Sequence, residues 1–286
     1  MAGPHTFIGS VSGDFANGPD WDTGLVPQNG EAWLMNHRTL RSITSGLNQA
    51  AKTFSKVSRH PSCPYGIASA VASLECNITE LHDAGSGEPA YVAGTLTNVH
   101  VDSPSRTSPG LSLDAIVSSL SMRQGLVELR GTRVLPASSR INVHGVIGAD
   151  PGECLLRISA ATVDLTTNNT LVTVTNGQLE TSASIDDLIL GSGLVSLNDA
   201  AALLKGELLG GSLHWNSSGT ITEARCAGDH LFTLNNFDLV RTLVTMSMHG
   251  SCVVDLSGGF NLSITNPIRR QGGQLIEPFG RTLTVI

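Results

Sequence analysis

Residues 185–197 read Ile185-Asp186-Asp187-Leu188-Ile189-Leu190, then the turn Gly191-Ser192-Gly193, then Leu194-Val195-Ser196-Leu197. Two short apolar runs on either side of a glycine turn are the pattern of strands with one buried face. A helix needs a longer run at a 3.6-residue period, and an interior glycine weakens it by about 1 kcal/mol. The theme recurs in both directions. Upstream stand residues 116–120 and 125–129. Downstream come Leu213-His214-Trp215 after Gly210-Gly211, Leu231-Phe232-Thr233-Leu234 after Gly228, and Cys252-Val253-Val254-Asp255-Leu256 after Gly250. A last copy, Leu275-Ile276, follows Gly272-Gly273.

The turn glycines return at intervals of about 17 to 27 residues, the length class of solenoid rungs. One rung is too small to bury its own apolar face. Stacking rungs about 4.8 Å apart lets equivalent positions form a continuous core and pairs each backbone group with a neighbour. The expected fold is therefore all-β, a parallel β-helix or β-solenoid with an irregular amino-terminal cap, and a β-sandwich is the alternative. Three stretches are expected. Residues 1–30 form an amino-terminal arm or cap rich in Gly, Asp, Asn and Pro, residues 31–94 irregular first rungs, and residues 95–286 the solenoid repeats. Within the second, residues 43–57 fit either an apolar helical stripe or an irregular strand, with Gly46 opposing the helix.

Only 14 % of the 286 residues are charged, against about 25 % in ordinary globular chains. Net charge is −7 and the 17 basic residues are dispersed, so no basic, aromatic-interleaved surface for nucleic acid is expected. No apolar run is long enough to span a bilayer, and the opening Met1-Ala2-Gly3-Pro4 lacks the pattern of a secretory signal. The chain is expected to be made in the cytosol without contacting a membrane. Cys63, Cys76, Cys154, Cys226 and Cys252 are odd in number and widely scattered. They are read as buried thiols rather than a disulfide framework. The final strand-like run, Thr282-Leu283-Thr284-Val285-Ile286, has no polar cap of its own, and a partner is expected to cover it.

No catalytic constellation emerges. Asp186 and Asp187 are neighbours on a strand and point to opposite faces. Asp14, Asp20 and Asp22 around Trp21 fit turn chemistry as well as a small acidic site. His100, His144, His214, His230 and His249 sit at different offsets from the turn glycines, so they are not expected to stack into a metal ladder. His60 with Cys63 is the sole close metal-type pair. Gly191-Ser192-Gly193 lacks the third glycine and following helix of a dinucleotide loop. No catalytic, cofactor or metal residue is assigned, and the chain is expected not to be an enzyme.

The segment Asn17-Gly18-Pro19-Asp20-Trp21-Asp22-Thr23-Gly24-Leu25-Val26-Pro27, followed by the strand Ala32-Trp33-Leu34-Met35, resembles the opening of repetitive β-solenoid proteins, which include structural proteins of tailed bacteriophages and some autotransporter passengers. Ile43-Thr44-Ser45-Gly46-Leu47-Asn48-Gln49 and Thr220-Ile221-Thr222 resemble the phage version in particular. The resemblance implies a virion component, either a capsid decoration (cement) protein or a tail-associated protein, as a homotrimer partnered by the major capsid protein. It supplies no catalytic residue and no cofactor. A tail spike or fibre module that binds or cleaves host glycan is the alternative. Phe7, Phe15, Trp21 and Trp33, in the irregular amino-terminal part, are the residues expected to dock a partner, with capping of the core as the competing role.

Overall fold

The computed structural model describes residues 4–286 apart from 10–11, 37–41, 62–65, 70, 87, 105–109, 131–138, 147–153, 159–170, 236–237, 279 and 281–282. The chain folds as two compact units, Met1–Pro136 and Ala137–Ile286. Both are β-solenoids of stacked coils. The one helical turn among the described residues is a 3-10 turn at Gly18–Asp20, and no helix among them is long and apolar enough to cross a membrane.

In the first unit β1 (His5–Thr6), β3 (Ala32–Met35), β5 (Asn48–Arg59), β6 (Leu74–Asp83), β7 (Ala90–Asp102) and β8 (Leu111–Leu129) pair in parallel, each with the next. A side ladder joins β2 (Ser12–Asp14) to β4 (Ser42–Ser45). The helix alternative for residues 43–57 is thereby excluded: the segment is extended. Nor does regular stacking wait until residue 95, because β3, β5 and β6 are already coils in register. Their irregular appearance comes from long excursions between strands. Trp33 pairs with Val57, Val57 with Leu81, Leu81 with Val99 and Val99 with Leu120, so the length of chain spent on a coil is uneven while the column stays straight.

One bend in these coils is made without glycine. Inward and outward residues alternate along a strand, but β6 breaks the alternation between the buried Ile78 and Leu81, with Thr79 and Glu80 both outward. β5 does the same at Ser55 and Lys56, β7 at Thr97 and Asn98, and β8 at Ser118 and Ser119. Two successive outward side chains bend the strand and open a second face in each coil.

The second unit contains β9 (Arg140–His144), β10 (Cys154–Ile158), β11 (Leu171–Thr175), β12 (Gly177–Thr181), β13 (Ile185–Leu190), β14 (Gly193–Leu197), β15 (Leu203–Leu208), β16 (Gly211–Trp215), β17 (Ile221–Cys226), β18 (His230–Leu234), β19 (Arg241–Asp255), β20 (Leu262–Ile264) and β21 (Arg269–Ile276). Here the stretch quoted first is one coil. Val172, Leu188, Gly206, Ala224 and Met246 lie in one column, one residue from each successive coil. Leu179, Val195, Leu213, Phe232 and Val254 form the column of the facing sheet. All but Gly206 are buried hydrophobic residues, each contributing roughly 1.5–3 kcal/mol if it is a full-sized side chain. Beyond β21, Val285 bridges Ile268 in parallel, so the closing run joins the ladder.

The turn glycines of this unit follow from close coil approach. Gly193 pairs with Gly177 and has φ +94°. A Cβ there would collide with the Gly177 carbonyl oxygen, closer than any side chain tolerates.

Candidate functional site: a histidine–carboxylate groove in the first unit

Residues 80 and 82 project to the same face of β6, being two apart on a strand. Register then sets Asn98 beside Glu80 and His100 beside His82. The four side chains occupy the corners of a quadrilateral on adjacent parallel strands. The imidazole centroids are 4.8 Å apart with planes inclined at 49°. Glu80 Oε2 is 3.6 Å from His82 Nε2 and 3.5 Å from His100 Nε2. The Asn98 amide donates to the other oxygen, Glu80 Oε1, at 2.5 Å. That bond fixes the carboxylate so that Oε2 faces both rings.

The electrostatics agree with this arrangement. The Asn98 hydrogen bond, helped by His100 and His82 and opposed by partial burial, holds the Glu80 carboxyl below its ordinary value. Partial burial, with the nearby charges of Lys56 and His100, holds the His82 imidazole below the usual histidine value, against the pull of Glu80. Glu80, His82 and His100 are the one group of three potential metal ligands that converges among the described residues, their ligand atoms all within 4.8 Å of one another.

Beside the imidazoles lies a groove of about 330 Å³, lined by Arg59, His82, Asp83, His100, Asp102 and Arg123 among others. Its floor is a buried ion pair. Arg59 Nε donates to Asp83 Oδ1 at 2.6 Å and Nη2 to Oδ2 at 2.7 Å. The guanidinium also donates to the carbonyls of Glu88 and Gly110, both at 2.5 Å, so it ties three coils together.

The residues expected to dock a partner lie elsewhere and face inward. Phe7, Phe15, Trp21 and Trp33 are no more than 1 % exposed. Trp21 packs edge-on against Phe7, Phe15 and Trp33, with centroids 5.2, 5.0 and 5.8 Å apart, and its indole donates to the Phe15 carbonyl at 2.9 Å. The four rings are the apolar plug of the first coils, and their burial leaves no ring face for a partner. This corrects the docking expectation in favour of the capping one.

The nearby acids are turn residues. Asp20 accepts from the Asp14 backbone, Asp14 from Ala16 and Asp22 from Thr6. Asp186 is 9 % exposed, while Asp187 is half-buried in register with Lys205. The Ser192 hydroxyl bonds Asn176 of the preceding coil at 2.8 Å, as a turn residue does. His100, His144, His214, His230 and His249 do not pair with one another: their register partners include Ser121, Thr175, Thr233, Gly211 and Gln271. The neighbour that completes a histidine pair is His82, one coil before His100, which glycine spacing does not reveal. Cys63, the proposed companion of His60, lies outside the described residues. Cys76, Cys154, Cys226 and Cys252 are buried as expected.

No family model matches this chain, and neither a curated protein nor a solved structure matches it significantly.

Proposed function

We propose that the chain is a structural protein of a virion, a capsid decoration protein that binds the head and stabilises it by repeated contacts. The observation that carries the reading is the outward columns of short, largely neutral polar residues held in register by the coils. His214, Thr233 and Asp255 form one such column, and Asn98 with Ser119 belongs to another. A face whose backbone is already fixed by ladder hydrogen bonds loses little further conformational freedom on docking. Contacts that are weak singly add up when a symmetric assembly repeats them. The similarity of residues 43–49 and 220–222 to their counterparts in phage solenoid proteins supports the same assignment. It points to a homotrimer seated on the major capsid protein, located in the virion, with no role for nucleic acid, membrane or catalysis.

The test is the copy number of the protein in purified particles, by quantitative mass spectrometry against the major capsid protein. A ratio comparable to that of the capsid protein is expected. Absence from particles overturns the proposal.

A second reading, a tail spike or fibre module that binds host glycan, is favoured by the groove beside which Asp102 and Arg123 are exposed. A carboxylate- and guanidinium-lined trough suits saccharide hydroxyls. A tail-like copy number together with retention on host polysaccharide would favour it over a decoration role.

A further inference from the structure

We propose that Glu80, His82 and His100 form a binding site for one divalent transition-metal ion of the zinc class, held between two adjacent coils of the first unit. This inference goes beyond the virion assignment and does not rest on it.

The donor set selects the ion. Two imidazoles and one carboxylate suit zinc, cobalt, nickel or copper, whereas calcium and magnesium call for oxygen donors throughout. The geometry is close to what such an ion needs. Ligands at about 2.0–2.1 Å in a tetrahedron are roughly 3.3 Å apart. The two carboxylate-to-imidazole separations are 3.6 and 3.5 Å, and the remaining one lies within 4.8 Å. Closing the set requires side-chain rotation alone, since the backbone positions are locked by the β6–β7 ladder.

Three further features suit a metal. Asn98, by bonding Glu80 Oε1 at 2.5 Å, does what outer residues do around metals: it orients a ligating carboxylate and leaves the second oxygen available. The His82 and His100 rings, with centroids 4.8 Å apart, both turn Nε2 toward the same carboxylate oxygen. The adjoining groove leaves room for a fourth ligand, water or a donor from another molecule. The charges around the site nearly balance: Lys56 and Arg59 on β5, Asp83 on β6, Asp102 on β7 and Arg123 on β8. Arg59 and Asp83 neutralise each other. Lys56, in register with Glu80, is the charge that opposes the ion.

The alternative is a metal-free cluster in which Glu80 simply pairs with imidazolium rings. Titrating the purified chain with cobalt(II), then displacing it with zinc(II), separates the two. The expected result is one equivalent of cobalt with the visible absorption of a tetrahedral centre, bleached by zinc. His82→Ala and His100→Ala should each remove it, and Asn98→Ala should weaken affinity by about tenfold or more. Far-UV circular dichroism checks that the variants remain folded. Should a variant not fold, the native chain still decides: zinc should shift the ring nitrogen resonances of two histidines together. Failure of cobalt and zinc to bind at micromolar concentrations overturns the proposal, as does undiminished affinity in both histidine variants.

Discussion

Arg59 and Asp83 stand one coil apart in the same column, joined by two hydrogen bonds of 2.6 and 2.7 Å, with side chains only 2 % and 1 % exposed. A buried charge is tolerated when its partner and its remaining hydrogen-bonding groups are satisfied. Here they are, by Gly85 on the acid and by Glu88 and Gly110 on the base. Asp83→Ala should destabilise the first unit by about 3–5 kcal/mol, because a buried guanidinium then loses the carboxylate bonded to it. The double change Arg59→Met with Asp83→Leu should be less harmful than the single one. Urea unfolding midpoints measure both, and a double variant worse than Asp83→Ala would refute the account.

Gly193 is needed for two separate reasons, its φ of +94° and the collision of any Cβ with the Gly177 carbonyl. Gly193→Ala should therefore destabilise the second unit by more than the roughly 1–3 kcal/mol of backbone strain alone. Gly24, with φ +70° but open space around it, should respond more weakly to the same substitution. Thermal melts of the two variants give the comparison, and equal losses would count against the coil-contact argument.

The buried thiols should be inert. Burial, helped by Glu75, pushes the Cys76 thiol up to about 12, and burial also raises that of Cys226. Thiolate is the reactive form. In native protein at mild alkaline pH, Cys76, Cys154, Cys226 and Cys252 should not react with a disulfide reagent, and all four should react once guanidinium is added. Rapid native labelling of any of them, mapped by peptide mass spectrometry, would show that the coils open.

Acidification should weaken the second unit through His230. Its ring is 2 % exposed, with Nδ1 3.1 Å from the Gly210 carbonyl and Nε2 buried without a hydrogen-bond partner. Burial holds its pKa below the ordinary 6.5 despite the Gly210 and Gly211 backbone contacts. The unfolded chain then takes up the proton first, so stability is full above that value and falls as pH drops from it toward the folded pKa. Urea midpoints between about pH 7.5 and pH 5.5 should decline, and His230→Gln should flatten the decline. An unchanged slope in the variant would remove His230 as the cause.

Much of the second unit could be read directly from the residue order, because each coil there is punctuated by a glycine whose positive φ or close contact is needed. Gly193, Gly211, Gly228 and Gly250 mark the coils, and short runs such as Leu194-Val195-Ser196-Leu197 are their strands. The first unit conceals the same architecture. Its coils bend at paired outward residues such as Thr79-Glu80 and Thr97-Asn98, which carry no turn signature, and the chain length between equivalent positions changes from coil to coil. That is why residues 31–94 look irregular. For the same reason the His82–His100 pairing is invisible to glycine spacing: it depends on a register that only the ladder defines. Aromatic content misled in a different way. Phe7, Phe15, Trp21 and Trp33 stand among turn residues, which suggests a surface, yet rings of that size are what the wide first coils need to fill their interior.

The ladder that joins the coils also sets how each unit resists mechanical force. Interstrand hydrogen bonds in a parallel sheet run from strand to strand, here from coil to coil, as in the pairing of β13 with β15 and β15 with β17. A pull along the stacking direction loads the outermost coil first and peels bonds away in succession. A pull along the strands loads every bond of a coil at once, in shear. Each unit is therefore a material with a grain, compliant in one direction and stiff across it.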